Sequence, residues 1–323
     1  MERHRKDGII TCKAKGENGD YVRRLNKVVE QLTSPEAYEA VFNRTSHEVP
    51  MPSVESLGHI VDLLRTVLFP GYFGNSDLKP GTMRYYLGSA LDRVSLLLAE
   101  QINRGLCFSC EDPEALDCAV CEVKARDATM AFLSRLPEVR RLLATDVRSA
   151  FEGDPAAKSY GEAIFCYPSI TAITNYRIAH ELNLLDVPLI PRIITEMAHS
   201  STGIDIHPGA RIGDHFFIDH GTGVVIGETC EIGSRVRIYQ GVTLGAKSFP
   251  LDENGRPIKG IPRHPIVEDD VIIYSGATIL GRVTIGRGSE IGGNVWLTHG
   301  VPPGTRVFQG RAEEEVFHGG SGI

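Results

Sequence analysis

The sequence predicts an α+β chain in two parts, an N-terminal α-helical domain followed by a parallel β-helix. Three observations carry this reading. Up to about Thr202 apolar residues recur at helical spacing. From Gly203 that spacing stops and glycine and β-branched residues rise. In the same half an aliphatic residue returns every six positions.

The first twenty residues are polar and aperiodic, so residues 1–20 read as a flexible tail and 21–202 as the helical domain. Ser34 before Pro35 reads as an N-cap followed by proline at the first helical position. Val54, Leu57, Val61, Leu64 and Leu68 line one helical face until Pro70-Gly71 closes it. Leu87, Leu91, Val94, Leu98 and Ile102 repeat the pattern. Further helical stretches cover residues 121–143, 145–160, 169–185 and 190–202.

The six-residue rhythm runs Ile206, Ile212, Ile218, Ile226, Ile232, Ile238, Leu244, and resumes as Val267, Ile273, Ile279, Ile285, Ile291, Leu297. Two positions before most of these sits a second apolar residue, such as Ala210, Val224, Cys230, Val236 or Val242. Each unit supplies one short strand and one turn, and its aliphatic residue stacks on the equivalent one a coil above. A sandwich would instead alternate with period two. The solenoid spans 203–307, and residues 308–323 form a Gly-Ser-containing C-terminal tail. Between the two series a loop, 246–265, keeps no rhythm; loops of that length in compact domains are usually functional.

Composition narrows the function. With 323 residues, 42% hydrophobic and 23% charged, the chain is ordinary for a globular protein. A net charge of -7 argues against a general nucleic-acid binder, which needs a basic face. No apolar run has the length of a membrane span and the N-terminus has no signal-like apolar segment, so no membrane partner and a cytoplasmic location are expected. Four of the seven cysteines, Cys107, Cys110, Cys118 and Cys121, form two CxxC pairs that could hold zinc or an iron–sulfur cluster. Core packing and a redox dithiol are the alternatives. Cys12, Cys166 and Cys230 read as structural.

The rhythm slips once: Ile218 to Ile226 is eight residues. The insertion follows Asp219-His220, and Gly221 and Gly223 would let it bulge outward and aim His220 away from the solenoid. Asp205, fifteen residues earlier, falls within reach on an adjacent layer. A carboxylate beside an imidazole is a recurring general-base arrangement. A solvated turn histidine is the plainer alternative.

The motifs Asp205-Ile-His-Pro, Asp219-His220-Gly-Thr-Gly, Gly227-Glu-Thr, Val242-Thr-Leu-Gly and Arg263-His264-Pro together resemble the serine O-acetyltransferase family, over roughly Asp154 to Val307. The resemblance implies a left-handed β-helix and acetyl transfer from acetyl-CoA to the L-serine hydroxyl, the first step of cysteine biosynthesis. It implies His220 as general base and Asp205 as its orienting carboxylate. Asp154 and Asp219 would contact the serine ammonium, and Arg263 and His264 of an adjacent subunit the serine carboxylate. The assembly would be a homotrimer or a dimer of trimers. Acetyl-CoA would lie along turns containing Gly245, Ala246, Lys247, Ser275, Gly276 and Gly293, with Lys247, Lys259 and Arg282 as phosphate candidates. Ile323 would engage O-acetylserine sulfhydrylase. Two other readings compete: a γ-carbonic-anhydrase-like zinc hydro-lyase using His207, His215, His220, His264 or His299, and a non-catalytic scaffold for the sulfhydrylase.

Overall fold

The computed structural model describes residues 18–38, 41, 49–110 and 119–310. Residues 1–45 form one compact unit and 46–323 another. In the first, α1 (Asn18–Leu32) carries Tyr21, Leu25, Val28, Val29 and Leu32 at helical spacing, all exposed within the single chain. The short α2 (Pro35–Tyr38) starts at Pro35, as the Ser34-Pro35 pair predicts.

The second unit begins with α3 (Val54–Leu68), whose N-cap Ser53 accepts a hydrogen bond from the Ser56 N–H at 3.2 Å. Leu57, Val61, Leu64 and Leu68 are buried as expected. Val54, at the first helical position, is exposed, and Ile60 and Val67 widen the buried stripe instead. Two long helices, α4 (Pro80–Phe108) and α5 (Ala119–Gly153), pack against it, then α6 (Tyr160–Cys166), α7 (Pro168–Asn183) and α8 (Ile190–Thr202) lead into the solenoid. Gly203 at φ 71 ends α8 in the left-handed conformation that glycine tolerates best.

Helix α7 is buried along nearly its whole length and ties the helices to the first coil. Arg177 forms a fork on buried Asp146, with Nε–Oδ2 2.6 Å and Nη2–Oδ1 2.9 Å. The same guanidinium donates to the carbonyls of Ile212 and Gly213, and Asp146 accepts the Phe216 N–H at 3.0 Å. Tyr176 donates to Ala210 O at 2.7 Å, and His180 Nδ1 donates to Pro208 O at 2.8 Å. A buried charge pair of this kind holds only because every polar atom finds a partner.

The solenoid is a left-handed parallel β-helix with three faces. The first stacks strands Asp205–Ile206, Val225–Ile226, Thr243–Gly245, Thr278–Leu280 and Trp296–Leu297. The second stacks Arg211–Ile212, Glu231–Ile232, Ile266–Val267 and Thr284–Ile285, and the third Phe217–Asp219, Arg237–Tyr239, Ile272–Ile273, Glu290–Ile291 and Arg306–Val307. Thr278 pairs with Trp296, the regular eighteen-residue coil. Asp205 pairs with Val225 and Phe217 with Arg237, twenty residues apart, so the first coil absorbs the two-residue slip. The loop does the same on a larger scale: Thr243 pairs with Thr278. Within it Leu251 and Pro257 form an antiparallel bridge, and Asp252 Oδ1 accepts the N–H groups of Asn254 and Arg256 at 2.8 Å each.

Of the three cysteines read as structural, Cys230 is buried and burial pushes its thiol up to about 12, whereas Cys166 is exposed at the end of α6 and Cys12 lies outside the described residues. No helix among the described residues is long and apolar enough to cross a membrane.

Candidate active site

The predicted site residues sort onto two edges of the triangular coil. One edge lies between the third and first faces, at the slip. His220 sits there at φ 56 with its side chain 77% exposed, followed by Gly221 at φ 95 and Gly223 at φ 78. The slip therefore presents the imidazole outward, as read from the repeat. A Cβ on Gly221 would fall 2.5 Å from Ile204 Cδ1, so this corner needs both the angle and the missing side chain.

The carboxylate nearest the imidazole within the chain is Asp219, with Oδ1 3.6 Å from Nδ1. Asp205 is the carboxylate expected from the sequence to orient this ring. Asp205 heads the first face and is held by Arg192 Nη1 at 3.4 Å; Arg192 also pairs with Glu196. Sequence distance around a coil places Asp205 near the corner but cannot see a cation arriving from α8.

Asp154 joins the same cluster from the end of α5. Its Oδ1 accepts the Ala156 N–H at 2.8 Å and its Oδ2 the Tyr167 hydroxyl at 2.5 Å. The Tyr167 bond, then the Ala156 N–H, hold the Asp154 carboxyl below its usual range, and the His220 charge adds to this. Tyr167 is pushed upward by burial and by Asp154, with Asp219 contributing, so both carboxylates act on one phenol.

Above His220 the edge becomes a track of small residues. Gly241 donates to Thr222 O, Gly276 to Gln240 O and Asn294 to Ser275 O, each at 2.9 Å. A Cβ on Gly241 would stand 3.4 Å from the Gly276 backbone, and one on Gly293 3.2 Å from Ser275 O. Beside the track the rings of Tyr239 and Tyr274 stack with centroids 5.3 Å apart. Ser275, Gly276 and Gly293 thus lie on the His220 edge.

Gly245, Ala246 and Lys247 do not. They lie on the edge between the first and second faces, where the loop departs and returns as Arg263-His264. His264 is 7% exposed. Its Nδ1 accepts the Thr229 N–H at 3.1 Å and lies 2.9 Å from Thr229 Oγ1. Burial, with Arg263 beside it, pulls its pKa down to about 4. An amide N–H can only donate, so the neutral ring carries its proton on Nε2. Arg263 Nη2 donates to Glu228 Oε2 at 2.6 Å, and Thr229 Oγ1 accepts the N–H of Arg263 at 2.9 Å and of His264 at 3.2 Å. Arg282 donates to the carbonyls of Thr229 and His264 and pairs with Glu231, so it braces this edge.

Glu228, Thr229, Tyr167 and Arg192 received no role from the sequence. The Gly227-Glu-Thr triplet did mark the first two; nothing in the spacing marked Tyr167 or Arg192. For the four-cysteine segment, Cys118 lies outside the described residues. Cys107 is buried in α4, its thiol 3.8 Å from Asn103 Oδ1, and Cys110 and Cys121 are partly buried. Ile323 also lies outside the described residues. His207 Nδ1 accepts the Gly209 N–H at 3.0 Å, His215 is tied through its backbone to Thr145 and Ser149, and His299 is exposed.

Comparisons with known proteins bear on the fold and the family. The family model "Bacterial transferase hexapeptide (six repeats)" matches residues 264–299. A plasmid-borne serine acetyltransferase of Synechococcus elongatus is 58% identical over 277 residues, 85% of this chain and 86% of the relative. The crystal structure of Entamoeba histolytica serine acetyltransferase isoform 3 with cysteine is 31% identical, with TM-score 0.68 over 93% of this chain and 96% of that one. Soybean serine acetyltransferase complexed with serine is 30% identical, with TM-score 0.50 over 80% of this chain and 96% of that one. A zinc hydro-lyase reading loses its ground here. With that identity over most of both chains, and with the repeat and both motif-bearing edges in place, the chain belongs to the serine acetyltransferase family.

Proposed function

We propose that the chain transfers the acetyl group of acetyl-CoA to the hydroxyl of L-serine, giving O-acetyl-L-serine and CoA, and that His220 is the general base. The observation that carries this is the slipped corner, which presents an exposed imidazole 3.6 Å from Asp219, with Asp154 close enough to feel its charge. A serine hydroxyl is a poor nucleophile. His220 would take its proton as the oxygen attacks the thioester carbonyl, and Asp219 would stabilise the imidazolium that forms. Such assistance is worth ~10²–10⁴-fold. Asp205 would be the carboxylate that orients the ring, with Arg192 also reaching one of its oxygens. Asp154 and Asp219 would accept the serine ammonium.

Arg263 and neutral His264 would bind the serine carboxylate, Arg263 by its fork and His264 through Nε2–H. Since these two stand on the other edge, one solenoid cannot close the site alone. Setting the His220 edge of one protomer against the His264 edge of the next completes it, in a homotrimer. Acetyl-CoA would then run between Ser275, Gly276 and Gly293 of one solenoid and Gly245, Ala246 and Lys247 of its neighbour. A dimer of trimers, a cytoplasmic location and a sulfhydrylase engaged through Ile323 follow from the resemblance and complete the proposal.

The test is CoA-thiol release from acetyl-CoA with L-serine. Serine-dependent release that His220→Ala lowers by at least ~10²-fold is the expected result. Absence of release from the folded trimer with any hydroxyl amino acid would sink the reading.

A further inference from the structure

Tyr167 has no part in the chemistry above, yet it stands inside the His220 cluster. Its backbone is fixed from both sides. It ends α6, donating its N–H to Ala163 O at 3.3 Å, and it caps α7 just before Pro168, accepting the Ile170 N–H at 3.1 Å. A side chain so anchored reaches out with little freedom to lose, and its hydroxyl donates to Asp154 Oδ2 at 2.5 Å. The other oxygen of Asp154 is held by the Ala156 N–H. Both oxygens therefore have one fixed donor each. An ionised carboxylate has about four acceptor positions, so about two remain for a cation with three N–H donors.

From this geometry we infer that Tyr167 is a positioning residue for the ammonium subsite: it fixes the rotation of Asp154 so that its remaining lone pairs, with those of Asp219, converge on the amino group of L-serine. The inference rests on the reading of Asp154 as an ammonium contact. It also accounts for the choice of a phenol here. The aromatic body packs at the α6–α7 junction, while a charge-assisted O–H···O bond adds a second fixed contact to a partly exposed carboxylate that the Ala156 N–H alone would hold by one oxygen. The rotation matters for acceptor choice, because a hydroxy acid without the amine gains nothing from it.

The measurement pairs Tyr167→Phe with Asp154→Asn in the intact full-length protein, after circular dichroism and melting show both folded. Tyr167→Phe keeps the ring and removes only the donor. The expected result is about a 10-fold rise in KM for L-serine, with kcat within about twofold and KM for acetyl-CoA unchanged. Competitive inhibition by 3-hydroxypropionate, which carries the hydroxyl and carboxylate but no ammonium, should keep its Ki. That selective loss is something a merely structural tyrosine would not produce. Serine KM and the 3-hydroxypropionate Ki rising together would mean general loosening and would overturn the inference, as would an unchanged serine KM. Asp154→Asn separates the two layers. If it raises serine KM while Tyr167→Phe does not, only the role of Tyr167 fails. If it leaves serine KM unchanged, the ammonium reading of Asp154 fails and the inference goes with it.

Discussion

The two histidines assigned to the site are built in opposite ways. His220 stands at a strained corner, at φ 56, exposed, with a single carboxylate 3.6 Å away. His264 is buried, its Nδ1 spent on the Thr229 N–H, its ring packed over Gly227 and its backbone braced by Thr229 and Arg282. The contrast suits the roles proposed for them. A base has to gain and lose a proton and so must stay accessible in both forms. A carboxylate anchor has to present one donor in one direction, and a ring locked in its neutral tautomer does that.

The largest effects should split along this contrast. His220→Ala should lower kcat by ~10²–10⁴-fold and leave KM for L-serine within a few-fold, since proton removal counts only in the transition state. His264→Ala should do the reverse, raising serine KM by about 10-fold or more with a smaller fall in kcat. Steady-state kinetics on the two variants decide it. Equal losses of kcat in both would erase the distinction between base and anchor.

A smaller effect should come from the floor of the anchor. A Cβ at Gly227 would lie 2.0 Å from His264 Cδ2 and 2.1 Å from Nε2. Gly227→Ala must therefore displace the ring. Overpacking of this kind costs about 1–3 kcal/mol. Denaturant melts should show that loss, and serine KM should rise while His220-dependent proton transfer stays intact. A variant with wild-type stability and KM would show that the ring does not need its present place.

These contrasts were unequally legible in the sequence. The slip, the glycines at Gly221 and Gly223 and the outward aim of His220 could be read from the repeat, because six-residue spacing fixes which side chains point inward. The same count puts Gly245 on one edge and Ser275 on the other. What spacing does not contain is the identity of partners. Spacing sets Asp205 near His220 but does not show that Arg192 also reaches it from α8. Nor does spacing show that Arg282 spans two carbonyls on the loop edge. Tyr167 precedes a proline at a helix junction, which signals a boundary and says nothing of Asp154. Lateral contacts between distant elements decide all three.

The smallest expected difference is thermodynamic and belongs to the buried side of the comparison. His264 has its pKa drawn down to about 4, and burial also lowers those of His180 and His207. In the unfolded chain a histidine takes up its proton near 6.5. Above that pH neither state is protonated at these sites and they add no slope. Below it the unfolded chain binds protons that the folded chain refuses, so stability falls as the pH drops from about 6.5 toward 4. The loss traceable to His264 should be roughly 1–3 kcal/mol over that window. Urea midpoints at pH 8, 6.5 and 5 should be level across the first interval and fall across the second. His264→Gln, which keeps an amide donor but cannot titrate, should flatten part of that fall. If the slope is unchanged in this variant, His264 is not the neutral, buried ring that an anchor requires, and the contrast between the two edges loses its physical basis.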